Sequence, residues 1–164
     1  MAVPVMSVPV TIRIQSVDFD IAAEIAALTK HSTDIGAVVS FSGICRGGAG
    51  NEAIAAMTLE HYPGMVEAEI ARHVNEAISR WPLNGVAVIH RYGRVVPGDN
   101  IVLVLTASAH REAAFQAAEF LMDYLKTNAP FWKSEERVGS GASEKKWIDA
   151  QGHDAAATAR WKKP

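Results

Sequence analysis

Apolar and polar positions alternate along this chain with two periods, near 2 and near 3.6 residues, and the switches between them mark out the elements. β-Branched residues crowd Val8 to Ile14, which predicts a first strand. Asp18 or Asp20 offers an N-cap to a helix carrying Ile21, Ile25 and Leu28 at i, i+4 and i+7. Gly36 breaks that pattern, and Ala37 to Ser42 reads as a short buried strand. Gly43 to Asn51, with four glycines, predicts a loop. Ala55 to Tyr62 alternates again, with Met57, Leu59 and His61 on one face and Thr58, Glu60 and Tyr62 on the other. Pro63 suits the first turn of a second helix, where its missing N–H costs nothing. The stripe of that helix runs through Val66, Ile70, Val74, Ala77, Ile78 and Trp81, and Pro82 ends it. Val86 to Tyr92 and Ile101 to Ala107 are two more strands. Between them Pro97-Gly98-Asp99-Asn100 is a turn, with Pro at i+1 and Gly at i+2.

Ser108 is placed to cap a third helix whose inward face is Ala114, Ala118, Leu121 and Leu125. That helix should stop before Ala129-Pro130, because the residue ahead of a proline is pushed out of helical geometry. Beyond Pro130 the pattern weakens. Val138 to Glu144 reads as a glycine- and serine-rich loop, Trp147-Ile148 as a short strand, and Asp154 to Trp161 as a last helical turn or two. The order β-α-β-β-α-β-β-α with a tail is not a regular βα alternation, so the expected class is α+β rather than doubly wound α/β.

The composition narrows this picture. A length of 164 residues favours one domain over the whole chain, residues 1–164, with 1–7 and 138–146 expected to be flexible. A formal net charge of -2 argues against a wholesale nucleic-acid binder while leaving room for a local basic pocket. Cys45 is the only cysteine, which rules out an internal disulfide and any CxxC metal or redox motif. No apolar run reaches the ~18 residues that span a membrane, and Met1 to Val10 carry no lysine or arginine. The expectation is a soluble protein of the reducing cytoplasm.

Several polar side chains fall where elements end. Arg46 follows the second strand, His110 and Arg111 open the third helix, Lys126 lies near that helix's end, and Lys133 lies seven residues on. A helix start attracts anions through its unpaired N–H groups, and His110-Arg111 would add to that field. Such a set could hold a phosphate or a carboxylate. Each residue also has an ordinary reading. Arg46 in a glycine-rich loop can be a solvated charge, and His110 a polar residue of a first turn. Lys126 suits the helix dipole, and Lys133 beside Phe131 and Trp132 can lay its stem on an aromatic surface. A lone Cys45 can be a small buried hydrophobe as well as a nucleophile. Glu60-His61 is no metal site, and GxGxxG, Walker, HExxH and GxSxG motifs are missing. No metal or cofactor is expected.

Three stretches carry a resemblance. They are Leu59-Glu60-His61-Tyr62-Pro63-Gly64-Met65; then Arg80-Trp81-Pro82-Leu83 with Val88-Ile89-His90-Arg91-Tyr92-Gly93 and Pro97-Gly98-Asp99; then Ser108-Ala109-His110-Arg111 with Asp123-Tyr124-Leu125-Lys126-Thr127-Asn128-Ala129-Pro130-Phe131-Trp132-Lys133. In this order they resemble the catalytic, large subunit of molybdopterin synthases, from about Val10 to Trp161. The resemblance implies an α/β hammerhead-type domain with an additional antiparallel β-sheet. It implies a sulfurtransferase that converts cyclic pyranopterin monophosphate (precursor Z) to molybdopterin. The two sulfurs would come from the C-terminal thiocarboxylate of a small ubiquitin-like sulfur-carrier subunit. It further implies a central homodimer of large subunits within a heterotetramer. Carried over motif by motif, Lys126 and Lys133 are the expected catalytic residues. Arg46, His110, Arg111, Lys126, Lys133, Ser134 and Glu135 are the expected substrate-binding set. The sequence departs from the family at Cys45, where a branched apolar residue is more usual, and in the glycine-heavy loop Gly47 to Gly50. The bare element order also permits a non-catalytic ferredoxin-like ligand-binding or assembly module.

Overall fold

A computed structural model describes residues 7–139, 146–148 and 152–162. Four strands make the first sheet: β1 (Val10–Gln15), β4 (Leu83–Arg91), β6 (Asn100–Ser108) and β2 (Ala37–Ile44), in that spatial order. β1 runs parallel to β4, and the other neighbours are antiparallel. The second sheet is antiparallel throughout, in the order β5 (Gly93–Val95), β3 (Ile54–His61), β7 (Phe131–Arg137) and β8 (Lys146–Ile148). The helices are α1 (Ile21–Thr29), α2 (Met65–Arg80), α3 (Arg111–Thr127) and α4 (Gly152–Ala159). The α+β class with an added antiparallel sheet is what the sequence led us to expect.

β4 and β6 are near-continuous apolar runs because both of their faces are covered, as in buried strands generally. Ala87, Ile89, Leu103, Leu105 and Ala107 face α1, packing with Phe19 and Leu28. The alternate residues Val86, Val88, Val102 and Val104 face the other way. They join Val66, Ile70, Val74 and Ala77 of α2 and Ala113, Ala117, Phe120 and Leu121 of α3. Asp20 is the N-cap of α1, its carboxylate accepting from the Ala23 N–H at 3.0 Å. The expected turn is present as well. The Asp99 N–H donates to the Val96 carbonyl at 3.0 Å, and Gly98 sits at φ 95°, which the second central position of this turn demands.

Two short-range expectations are corrected. Ser108 does not cap α3: it pairs with both Ala37 and Leu83, so β6 runs through it, and His110 is the N-cap. The Ser108 hydroxyl donates to the Pro82 carbonyl at 2.8 Å instead. Pro63 lies ahead of α2 rather than in its first turn. Gly64, at φ 86°, is the N-cap, and its N–H donates to the Glu67 carboxylate at 2.7 Å. Two strands lay outside the expected order, the short β5 and the seven-residue β7. The strand expected at Trp147-Ile148 is present as β8, and the helical end as α4. Of the segments expected to be flexible, 1–6 and 140–145 lie outside the described residues.

Candidate active site

The site forms where the first sheet, the end of α3 and β7 meet. Register builds its floor. Gly43 pairs with Val102 and Val102 with His90, so all three lie in one row across β2, β6 and β4 on the α3 side. Phe41, two residues back on β2, shares that face. Gly43 leaves the row open, since a Cβ there would come within 2.6 Å of the Val102 side chain. Met122, Leu125 and Lys126 of α3, with Ala129 just beyond, form the roof. Phe131 and Lys133 of β7 supply a wall. The cavity between them has a volume of about 130 Å³, and Ile44 and Ile101 complete its lining.

Three cationic or potentially cationic groups meet here. Lys126, in the last turn of α3, is exposed, as a lysine at a helix C-terminus readily is. Lys133 is largely withdrawn from solvent. Burial first, and then the Lys126 ammonium, holds its ammonium below the usual lysine range, with Asp154 pulling the other way. Neither lysine has a hydrogen-bond or ion-pair partner among the described residues. His90 is 7% exposed. Its ring stacks on Phe131 with centroids 3.7 Å apart and an interplanar angle of 17°. Nδ1 lies 2.8 Å from the Arg91 carbonyl, an acceptor, so Nδ1 carries the proton and Nε2 carries the lone pair. Burial pushes His90 down to about 4; the Arg91 contact opposes this, while Lys133, Lys126 and His61 add to it. The ring is therefore neutral at physiological pH.

The structure sorts the other expected site residues. Arg46 lies two residues beyond Ile44, at the same end of the sheet as the lysines. It is exposed and without an ion pair among the described residues. The strand pairing that carries the chain to it continues through Cys45, whose N–H donates to the Asp99 carbonyl at 2.9 Å. His110 and Arg111 are exposed at the opposite end of α3, fifteen residues from Lys126. At ~1.5 Å per residue that is roughly 22 Å along the helix. Ser134 is buried and paired with Thr58, and strand alternation turns it to the face opposite Lys133. Glu135 shares the Lys133 face but sits deeper along β7, 3.8 Å from the Arg137 guanidinium, and neither residue lines the cavity. Cys45 is 2% exposed. Burial, then Asp99 and Glu135, pushes its thiol up, so it stays protonated and is a poor nucleophile. The residue that sequence reasoning missed is His90. Its signal was a histidine continuing the inward row Val86, Val88 past the end of the hydrophobic run.

Among the described residues, no group of histidines, cysteines and carboxylates could hold a metal ion, and no helix is long and apolar enough to cross a membrane.

A two-sheet α+β domain with an exposed and a largely buried lysine lining one mainly apolar cavity is equipped to bind an anionic substrate and to stabilise negative charge developing beside it. Residues 14–128 match the family described as MoaE protein, and the chain belongs to that family. The molybdopterin synthase catalytic subunit of Mesorhizobium japonicum is 61% identical over 152 residues, 93% of each chain. A solved structure described as the molybdopterin biosynthesis MoaE protein from Burkholderia ambifaria superposes with a TM-score of 0.78 at 47% identity. It covers 93% of this chain and 97% of its own. The fold also recurs at 21% identity and a TM-score of 0.65 in a protein–protein complex of subunits 1 and 2 of molybdopterin-converting factor from Helicobacter pylori, over 87% of this chain and 90% of that one.

Proposed function

We propose that this chain is the catalytic subunit of a cytoplasmic molybdopterin synthase. In this reading it is a sulfurtransferase that turns cyclic pyranopterin monophosphate into molybdopterin with sulfur from a small carrier subunit. The observation that carries the reading is the convergence of Lys126 and Lys133 on one cavity in a chain of this family. The partner's C-terminal thiocarboxylate enters the cavity, and its sulfur bonds to a side-chain carbon of the pterin as a carbon–oxygen bond of that carbon breaks, the oxygen leaving with its electron pair on the opened cyclic phosphate in one round and as water in the other. The partner's acyl group is then left on that sulfur as a thioester. Water adds to the acyl carbon, the tetrahedral oxyanion collapses, and the acyl–sulfur bond breaks. The partner departs as an ordinary carboxylate and the sulfur stays on the pterin. A second round completes the dithiolene. Lys126 stabilises the oxyanion, and Lys133 holds the substrate. Arg46, flanking the cavity, suits a phosphate through its planar, bidentate guanidinium. Cys45, buried and protonated, takes no part in sulfur transfer, which fits delivery by a partner.

His110 and Arg111 cannot reach the lysine pocket of their own chain across roughly 22 Å of α3. In the homodimer we propose, that end of one copy completes the pocket of the other. Ser134 and Glu135 support β7 and the neighbourhood of Arg137 rather than touching substrate.

The test is reconstitution with precursor Z and thiocarboxylated carrier. The unmutated chain should form the pterin dithiolene. Lys126→Ala should lose about a hundredfold or more of the rate, with melting temperature and carrier binding unchanged. A Lys126→Ala protein working at the normal rate would remove that lysine from the mechanism. No product from the unmutated chain would overturn the whole reading and leave the assembly-module alternative.

A further inference from the structure

His90 and Lys133 present complementary needs across the same small cavity. The Lys133 ammonium is largely buried, and a buried charge without an acceptor is costly; the described residues give it none. The His90 imidazole is fixed on two sides, by the 3.7 Å stack on Phe131 and by Nδ1 at the Arg91 carbonyl. Its remaining nitrogen has a lone pair and no donor among the described residues, and the residue lines the cavity that Lys133 also lines. We propose that His90 is a positioning residue of the pocket, its Nε2 accepting a hydrogen bond from the Lys133 ammonium.

The conformation of the Lys133 stem in the structure leaves that bond open. The flexible four-carbon stem of lysine gives the ammonium the reach to close it. The clamp on the imidazole makes the acceptor a fixed point for an otherwise mobile cation. A neutral ring also adds no third positive charge beside Lys126 and Lys133. The charged and titratable groups around the pair are Lys126 from α3, His61 from β3 and Asp154 from α4. The ring centroid of His61 also lies 6.2 Å from that of Phe131. The inference rests on the sulfur-transfer reading only for what the positioned ammonium does, and not for the contact itself.

The test reads the lysine directly. Lys133 is titrated by NMR of isotope-labelled, reductively methylated protein, its signal assigned by its loss in Lys133→Arg. The unmutated chain, His90→Phe and His90→Gln are compared, each checked for folding by its melting curve. Phenylalanine keeps the stack and removes the acceptor; glutamine restores an acceptor oxygen at similar reach. A hydrogen bond to a neutral acceptor favours the charged lysine, so His90→Phe should lower the Lys133 titration by about one unit, and His90→Gln should return it. In the reconstituted synthesis His90→Phe should lower kcat about tenfold with KM little changed, and glutamine should rescue it. An unchanged Lys133 titration in folded His90→Phe overturns the proposal whatever the rate does. A lowered rate that glutamine fails to rescue, with no titration shift, marks His90 as structural only. Should the unmutated chain make no product, the sulfur-transfer reading fails while the titration still decides this one.

Discussion

His90 is a buried neutral imidazole, and that has a measurable consequence for stability. Its folded value, about 4, lies below the 6.5 of an unhindered histidine, so the unfolded chain takes up the proton first. The stability at stake is complete above pH 6.5 and is lost as the pH falls toward 4. The 2.5-unit gap corresponds to roughly 3 kcal/mol. Urea unfolding from pH 7 to pH 4 should show the unmutated chain losing up to that amount relative to His90→Gln. His73, which burial also pushes down, is common to both and cancels. Parallel curves would mean that His90 is not buried as a neutral ring. The lysines were legible in the sequence because they sit at element ends, where charge is conspicuous. His90 was not, because a histidine closing an apolar strand looks the same whether its ring lines a cavity or a packed core. Only the register with Val102 and Gly43 distinguishes the two.

The elements were legible where hydrophobic periodicity is strong, as in α2, α3, β4 and β6. β7 was not. Its residues Lys133-Ser134-Glu135-Glu136-Arg137 contain no apolar side chain, and its place is set by its neighbours instead. Lys133 pairs with Leu59, and Ser134 with Thr58 and Trp147. Across the same sheet the Arg94 guanidinium donates to Glu136, and that of Arg137 donates to Glu52 in the turn ahead of β3. A tertiary partner thus overrides weak local propensity. The cap of α3 was misplaced for a similar reason, since two flanking strands extend β6 through Ser108. Gly36, which the sequence marks only as a break, has a sharper role. Its N–H donates to the Ser108 carbonyl at 3.0 Å, and a Cβ would stand 2.3 Å from the Ala109 carbonyl oxygen. Because that obstacle is backbone, Gly36→Ala should cost about 1–3 kcal/mol, seen as a lower urea midpoint. An unchanged midpoint would show that the segment leading into β2 shifts without penalty.

On the scale of the whole molecule, α3 separates the expected site into two halves: Arg46, Lys126 and Lys133 at one end, His110 and Arg111 at the other. If two copies complete each other's pockets, Lys126→Ala and Arg111→Ala should each be nearly inactive alone. After subunit exchange, half of the randomly paired dimers would be mixed, each with one intact pocket, so about a quarter of the full activity should return. No recovery despite demonstrated exchange would confine both residues to one chain's site, and a fully active Arg111→Ala would remove that residue from it. The sequence indicated both the α+β class and the five charged positions. It could not show their division, because separation along a helix means nothing until the helix is placed against the sheet. The stack of His90 on Phe131 has one more consequence. It joins a ring from the first sheet to a ring from the second, and both residues line the cavity. The pocket therefore acts as an alignment gauge for two separately built sheets. A small rotation of one against the other would pull Lys133 off its mark and silence the chemistry while both sheets stayed fully folded.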